Sequence, residues 1–268
     1  MSIPMYGQEK DGKKLGSLLD TKRVYKFENP PVVIDDAVYG GTATLPDGAD
    51  TSVCIHQYTD GLQLACEFIG ASTVDGPEIS SLGMVYESVD TDDRGMQWAT
   101  VHASAKGSEG INQFTVGNAA FYAKLTFKIG TVGSADECGF GIRKKAAFAA
   151  LPQTYTDYVM LNVDNGDIKA QGALNNTDES DVDTTDNWGN NEIHTLEVRV
   201  AKSGAATFKI DGADPTVNTF SMTFDSGDVV HPFFFQLKDA GAALDPTMIE
   251  LEMGLQSDEA GSSYSNII

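Results

Sequence analysis

Along most of this chain apolar and polar residues alternate one for one. In FYAKLTFKI, Phe121, Ala123, Leu125, Phe127 and Ile129 fall on one face of an extended segment, and Tyr122, Lys124, Thr126 and Lys128 fall on the other. A period of two marks a strand with one buried face. The same alternation puts Cys138, Phe140 and Ile142 together in ECGFGIR, and sets Ile249 and Leu251 against Glu250 and Glu252 in MIELEM. Between such runs stand Asp-Gly pairs at 47, 60, 75 and 211 and Asn-Gly at 165. Both residues of these pairs tolerate positive φ, which a tight hairpin requires. TSVCIHQYTDGLQLACEFIG and YVMLNVDNGDIKAQG therefore read as hairpins, and only AAFAAL, residues 146–151, reads as a short helical turn. Roughly a dozen strands or more between 31 and 255 suit two packed antiparallel sheets better than one open sheet. The predicted architecture is a single all-β sandwich over 31–255, followed by a C-terminal tail, 256–268.

Residues 1–30 break the pattern. This stretch is polar and glycine-punctuated, with Lys10, Lys13, Lys14, Lys22, Arg23 and Lys26, and lacks the periodic apolar positions of a core of its own. Two readings stay open: a loose terminus, or a docking arm that orders on a partner through Met5, Tyr6, Leu15, Leu18, Leu19, Tyr25 and Phe27.

Composition narrows the function classes. With 39 acidic against 18 basic residues the net charge is −21, so a phosphate backbone is repelled and nucleic acid is not an expected partner. No apolar run is long enough to span a membrane and MSIPMYGQEKDGKKLG lacks an apolar signal core, so a soluble chain without a secretion signal is expected. Cys54, Cys66 and Cys138 form no Cys-x-x-Cys pair, which argues against zinc and a disulfide framework and for small core residues.

Glu192-Ile-His194-Thr-Leu-Glu197 has the spacing of a degraded hydrolase site. Glycoside hydrolysis needs two carboxylates facing one sugar. Strict alternation puts Glu192 and His194 on the side of Leu196, and Glu197 on the opposite side, so the acids diverge. Glu250 and Glu252 do share a face, about 7 Å apart at the rise of a strand, but an acidic pair with no third partner is usually solvated. Gly-x-Ser-x-Gly elbows, phosphate loops and dinucleotide fingerprints are absent, and His56, His102, His194 and His231 have no adjacent partner pattern. No catalytic residue and no cofactor is expected.

The stretch DESDVDTTDNWGNNE, residues 178–192, concentrates hard oxygen donors and reads as a loop. It reads as a solvated acidic loop; the alternative is a Ca²⁺ site through Asp181, Asp183 and Asp186, although the EF-hand spacing and its sixth-position glycine are missing. Trp98, Tyr155, Tyr158 and Trp188 are candidates for stacking on a sugar, and are equally explained by packing.

HTLEVRVAKSGAATFKIDG resembles the late hairpin of concanavalin A-like (laminin G-like) jelly rolls, and FYAKLTFKIGTVGSADECGFGIR and HPFFFQLKDAGAALDPTMIELEMG are similar to their central and final strands. The resemblance extends over 115–255 by motif, and over 31–114 by strand content. It implies a two-sheet jelly-roll sandwich. A polar N-terminal arm joined to such a sandwich resembles virion proteins of phages, marine ones especially. That resemblance implies a non-enzymatic structural protein on the capsid surface, a decoration or cement protein that binds a major capsid protein or another virion protein and self-associates as a trimer or dimer. The alternative is a lectin-like carbohydrate-binding module, or a virion appendage contacting host glycans.

Overall fold

The structure, a computed structural model, describes residues 22–29, 31–35, 53–58, 60–69, 78–86, 94–100, 112–133, 136–146, 149, 151–238 and 244–256. In chain order its strands are β1 (Arg23–Lys26), β2 (Val32–Asp35), β3 (Val53–Gln57), β4 (Gln63–Ile69), β5 (Glu78–Ile79), β6 (Met84–Val85), β7 (Arg94–Ala99), β8 (Phe114–Thr115) and β9 (Phe121–Lys128). There follow β10 (Glu137–Lys144), β11 (Tyr158–Asp164), β12 (Asp167–Leu174), β13 (Thr177–Asn187), β14 (Ile193–Val200), β15 (Ala206–Ile210), β16 (Val229–Lys238) and β17 (Thr247–Leu255). The helical turn falls at Pro152–Thr154, later than AAFAAL, where proline supplies the first helical position. Among the described residues no helix is long and apolar enough to cross a membrane.

These strands form two antiparallel sheets. The seven-stranded sheet runs β15-β14-β9-β17-β6-β5, with β1 also on β17; the ten-stranded sheet runs β13-β12-β11-β10-β16-β7-β4-β3-β2, with β8 on β16. Among the described strands the chain crosses repeatedly from one sheet to the other, as between β8 and β9, β9 and β10, β13 and β14, and β16 and β17, which makes the sandwich a jelly roll. Alternation sorts the faces as the sequence predicts. One inward row of the smaller sheet is Tyr25, Leu251, Leu125, Leu196 and Ile210, contributed by five adjacent strands. From the larger sheet Cys138, Phe140, Ile142, Val159, Leu161, Trp98 and Phe234 meet it in one core.

Three local features differ from the sequence reading. Ile249 and Leu251 do not share a face: a register shift between Met248 and Glu250 makes Ile249 the extra residue of a bulge, and Met248 takes the core position instead. HPFFFQL is buried on both sides, with Phe234 inside the sandwich and Phe233 and Phe235 in a second cluster on the outer face. The third concerns the arm. Tyr25 and Phe27 are 6% and 1% exposed and belong to the main core, with the Phe27 ring edge-on to Tyr58. They anchor this chain's own sandwich, and burying two aromatics there contributes roughly 2–3 kcal/mol each. Met5, Tyr6, Leu15, Leu18 and Leu19 lie outside the described residues.

Both quoted hairpins form. The second closes at Asn165 and Gly166, with φ of 52° and 88°, the doubly left-handed turn that Asn-Gly favours.

Candidate functional site

The stretch with the hydrolase spacing is scaffold. Leu196, Val198 and Val200 of β14 point into the core, while Glu197 points outward between Lys124 and Lys209 and accepts a hydrogen bond from Arg199 Nε at 2.5 Å. Glu192 accepts from the Gly189 amide at 2.7 Å, which with the neighbouring His194 holds its carboxyl below the usual range. The His194 ring lies between two acids, Nδ1 at 2.6 Å from Asp211 Oδ2 and Nε2 at 3.2 Å from Glu192 Oε2. Burial opposes its charge, but hydrogen bonds to Asp211 and Glu192 outweigh this and raise its pKa. Glu192 and Glu197 therefore do not converge, as alternation predicts.

Residues 178–187 of the acidic stretch are strand rather than loop, pairing with β12 at Asp178, Glu179, Val182, Asp183 and Asn187 with two register shifts between them. Its carboxylates go separate ways: Asp181 Oδ2 accepts from Gln171 Nε2 at 2.8 Å, Asp183 Oδ1 from the Thr185 amide, and Asp186 from the amide and hydroxyl of Thr216. Among the described residues no group of three His, Cys, Asp or Glu is placed to hold a metal ion, so Asp181, Asp183 and Asp186 do not assemble as a Ca²⁺ site. The aromatic candidates are no sugar platform either, since Trp98, Tyr155, Tyr158 and Trp188 are all buried. Cys66 and Cys138 are buried thiols outside any disulfide, and burial pushes the Cys138 thiol up.

The polar group that strand pairing brings together lies elsewhere, on the outer face of the ten-stranded sheet. That face has two halves. One is covered by the segment after β10: Tyr155 packs on Phe233 and donates to Gln97 Oε1 at 2.6 Å, and Gln97 Nε2 donates to the Ala149 carbonyl. The Arg143 guanidinium stands 4.3 Å over the Tyr155 ring and donates to the Ala146 carbonyl. Lys144 Nζ pairs with Asp228 at 2.6 Å and Asp157 at 3.7 Å, fastening the base of the segment.

The other half is polar. Glu137, Asn162, Asp164, Lys169, Gln171 and Asp181 project outward from β10, β11, β12 and β13, in positions opposite the core residues Cys138, Val163, Ile168 and Val182. Asn162 Nδ2 donates to Glu137 Oε2 at 3.0 Å, Gln171 Nε2 donates to Asp181 Oδ2 at 2.8 Å, and Lys169 Nζ pairs with Asp164 Oδ2 at 2.5 Å. Burial raises the Glu137 pKa; the Asn162 hydrogen bond lowers it, and the charges of Asp164 and Asp181 raise it further. Met160, fully buried beside them, continues the apolar floor. A Cβ at Gly139 would fall 2.2 Å from Met160 Cε and 3.0 Å from Asn162 Oδ1, so only glycine lets these two side chains lie down on the sheet.

Asn162 is 0% exposed and Gln171 3%, yet Asn162 Oδ1 and Gln171 Oε1 have no hydrogen-bond partner. Each amide donates one N–H to a carboxylate and leaves its carbonyl oxygen unmet. A buried polar atom left unpaired costs about 1–3 kcal/mol. The sequence offered a weak signal, since Asn162 and Gln171 occupy the non-core parity of their strands, but the carboxylates they meet come from other strands and only the pairing joins them.

No family model and no curated protein matches the chain. Among solved structures it is similar to the carbohydrate recognition domain of Emp47p, at 14% identity over 79% of this chain and 94% of that one, with a TM-score of 0.47. A protein of unknown function from Shewanella oneidensis MR-1 matches at 11% identity, covering 91% and 90% of the two chains, with a TM-score of 0.48. An alginate lyase from Pseudomonas aeruginosa matches at 12% identity over 68% and 86%, with a TM-score of 0.46. The architecture described above rests on the strand pairing of this chain alone.

Proposed function

We propose that this chain is a non-catalytic glycan-binding jelly roll, and that the polar half of the ten-stranded sheet's outer face is its binding surface. The observation that carries this reading is the pair of buried amide oxygens, Asn162 Oδ1 and Gln171 Oε1, that no protein donor meets. Their partners Glu137 and Asp181 are partly and largely exposed, so a ligand hydroxyl that engages these carboxylates is led to the amides behind them. A pyranose presents several hydroxyls, each donor and acceptor, over an apolar ring face. Amides, carboxylates and an apolar floor at Met160 are the groups such a ring pairs with.

The reading assigns Glu137 to holding rather than chemistry. Its Oε2 is occupied by Asn162, which ties that oxygen down to the sheet. The expectation of a shell-attached virion protein draws no support from the described residues, since Tyr25 and Phe27 serve the core.

The test is retention on a panel of immobilised oligosaccharides, with reducing-end release measured in parallel. Specific retention that Asp181→Asn and Gln171→Ala weaken, with no release, supports the reading. Retention of no glycan overturns the binding reading, and release abolished by Glu137→Gln overturns the non-catalytic one.

A further inference from the structure

We propose that the ligand of this surface is an oligosaccharide of amino sugars carrying free ammonium groups, an inference that rests on the glycan-binding reading above. The argument is a count of donors and acceptors. Glu137, Asp164, Asp181 and Asp183 face outward from adjacent strands, and the one cation among them, Lys169, is held by Asp164 at 2.5 Å. Each amide directs one N–H at a carboxylate, Asn162 at Glu137 and Gln171 at Asp181. What the surface offers in excess is acceptors and negative charge: the carboxylate oxygens, and beside them the unpartnered oxygens of Asn162 and Gln171, both more than nine-tenths buried.

A ligand that completes such a site brings donors and positive charge. An alkylammonium carries three N–H donors and no acceptor, so one group can bridge a carboxylate and an amide oxygen at once, with charge-assisted bonds about twice as strong as neutral ones. A uronate brings a carboxylate to four others and is repelled. A neutral or N-acetylated sugar meets the amides but leaves the carboxylates uncompensated. The net charge of −21 acts in the same direction at long range, concentrating cationic ligands near the protein.

Isothermal titration of the full chain distinguishes the ligands: a glucosamine tetramer, its fully N-acetylated counterpart, an oligouronate of equal length and spermidine. The expected result is a glucosamine tetramer bound at least about tenfold tighter than the N-acetylated one, with the preference shrinking severalfold at high salt. Glu137→Gln and Asp181→Asn, the latter on an exposed side chain that leaves folding intact, each reduce that preference about tenfold. Equal binding of amino and N-acetylated tetramers, or preference for the uronate, overturns this inference while leaving the glycan reading in place. Spermidine bound without any sugar overturns both, because the surface then recognises cations rather than glycans, and so does the absence of any binding.

Discussion

The outer faces of the two sheets carry similar residues and treat them in opposite ways. On the seven-stranded sheet one cross-strand row reads Val24, Glu252, Lys124, Glu197 and Lys209, alternating in sign from the acid onward. Glu252, 5% exposed, accepts from Tyr122 Oη at 2.6 Å, is 3.1 Å from Lys22 Nζ and 3.3 Å from Lys124 Nζ. Burial works against its charge, but Tyr122 and the two lysines prevail and its pKa is lowered. On the ten-stranded sheet Glu137 has one amide donor and a raised pKa. A carboxylate whose oxygens are met by the chain's own donors is part of the fold; one with a single donor is the kind a ligand could complete. The contrast sets a structural polar layer against the proposed recognition surface.

The largest test of that contrast is Glu252→Ala. It strands the Tyr122 hydroxyl and two lysines, and the expected loss is about 2 kcal/mol, the low end for a buried pair because the Lys22 side chain is 61% exposed. Urea unfolding at neutral pH reads this as a lower midpoint at unchanged slope. The linkage has a sign: a lowered folded pKa gives stability that is present above the ordinary carboxylate value and lost as the pH falls through the folded one. A variant as stable as the parent would dissolve the contrast.

Glu137→Gln is expected to act the other way and more weakly. A raised folded pKa means the folded chain holds the proton more tightly than the unfolded chain does. The contribution of this group is therefore most favourable at low pH and diminishes as the pH rises from the ordinary value through the raised one. At pH 7 the ionised form is a cost, and removing the charge gains up to about 1 kcal/mol, visible as a small rise in melting temperature. A clear loss of stability instead would make Glu137 a structural acid like Glu252.

The strand order across these faces was not written in any one segment, yet the faces themselves were. Phe121 through Ile129 and Cys138 through Ile142 sort as their alternation says, and both quoted hairpins close where Asp-Gly and Asn-Gly stand. Where local pattern failed, a non-local partner decided. The bulge at Ile249 follows from registering β17 on β9, and Val182 and Asp183 leave the supposed loop by pairing with Ala170 and Lys169 of β12. Tyr25 and Phe27 looked like anchors for a partner because the strand they pack with, β17, is more than two hundred residues away. The candidate surface was the least legible part. Asn162 meets Glu137 and Gln171 meets Asp181 across strands, and an unmet amide oxygen leaves no trace in sequence.

The smallest expected effect lies between the two sheets, at the corner where β13 hands over to β14. His194 is flanked by Asp211 and Glu192, and its ring stands 4.7 Å from that of Trp188, whose indole donates to the Glu192 carbonyl. Only the imidazolium can donate from both nitrogens, so the doubly bonded arrangement belongs to the protonated ring. Because the folded pKa is raised, the stability this ring contributes is full below the ordinary imidazole value and is lost as the pH rises through the folded one. NMR titration of the imidazole should give a midpoint above 6.5, and Asp211→Asn should lower it. The effect on overall stability is small, since the Asp211 and Glu192 side chains are 51% and 55% exposed and water screens both pairs. A midpoint at or below 6.5 would mean that desolvation by the neighbouring indole outweighs both acids, and this corner would then hold a neutral ring with one hydrogen bond rather than a cation with two.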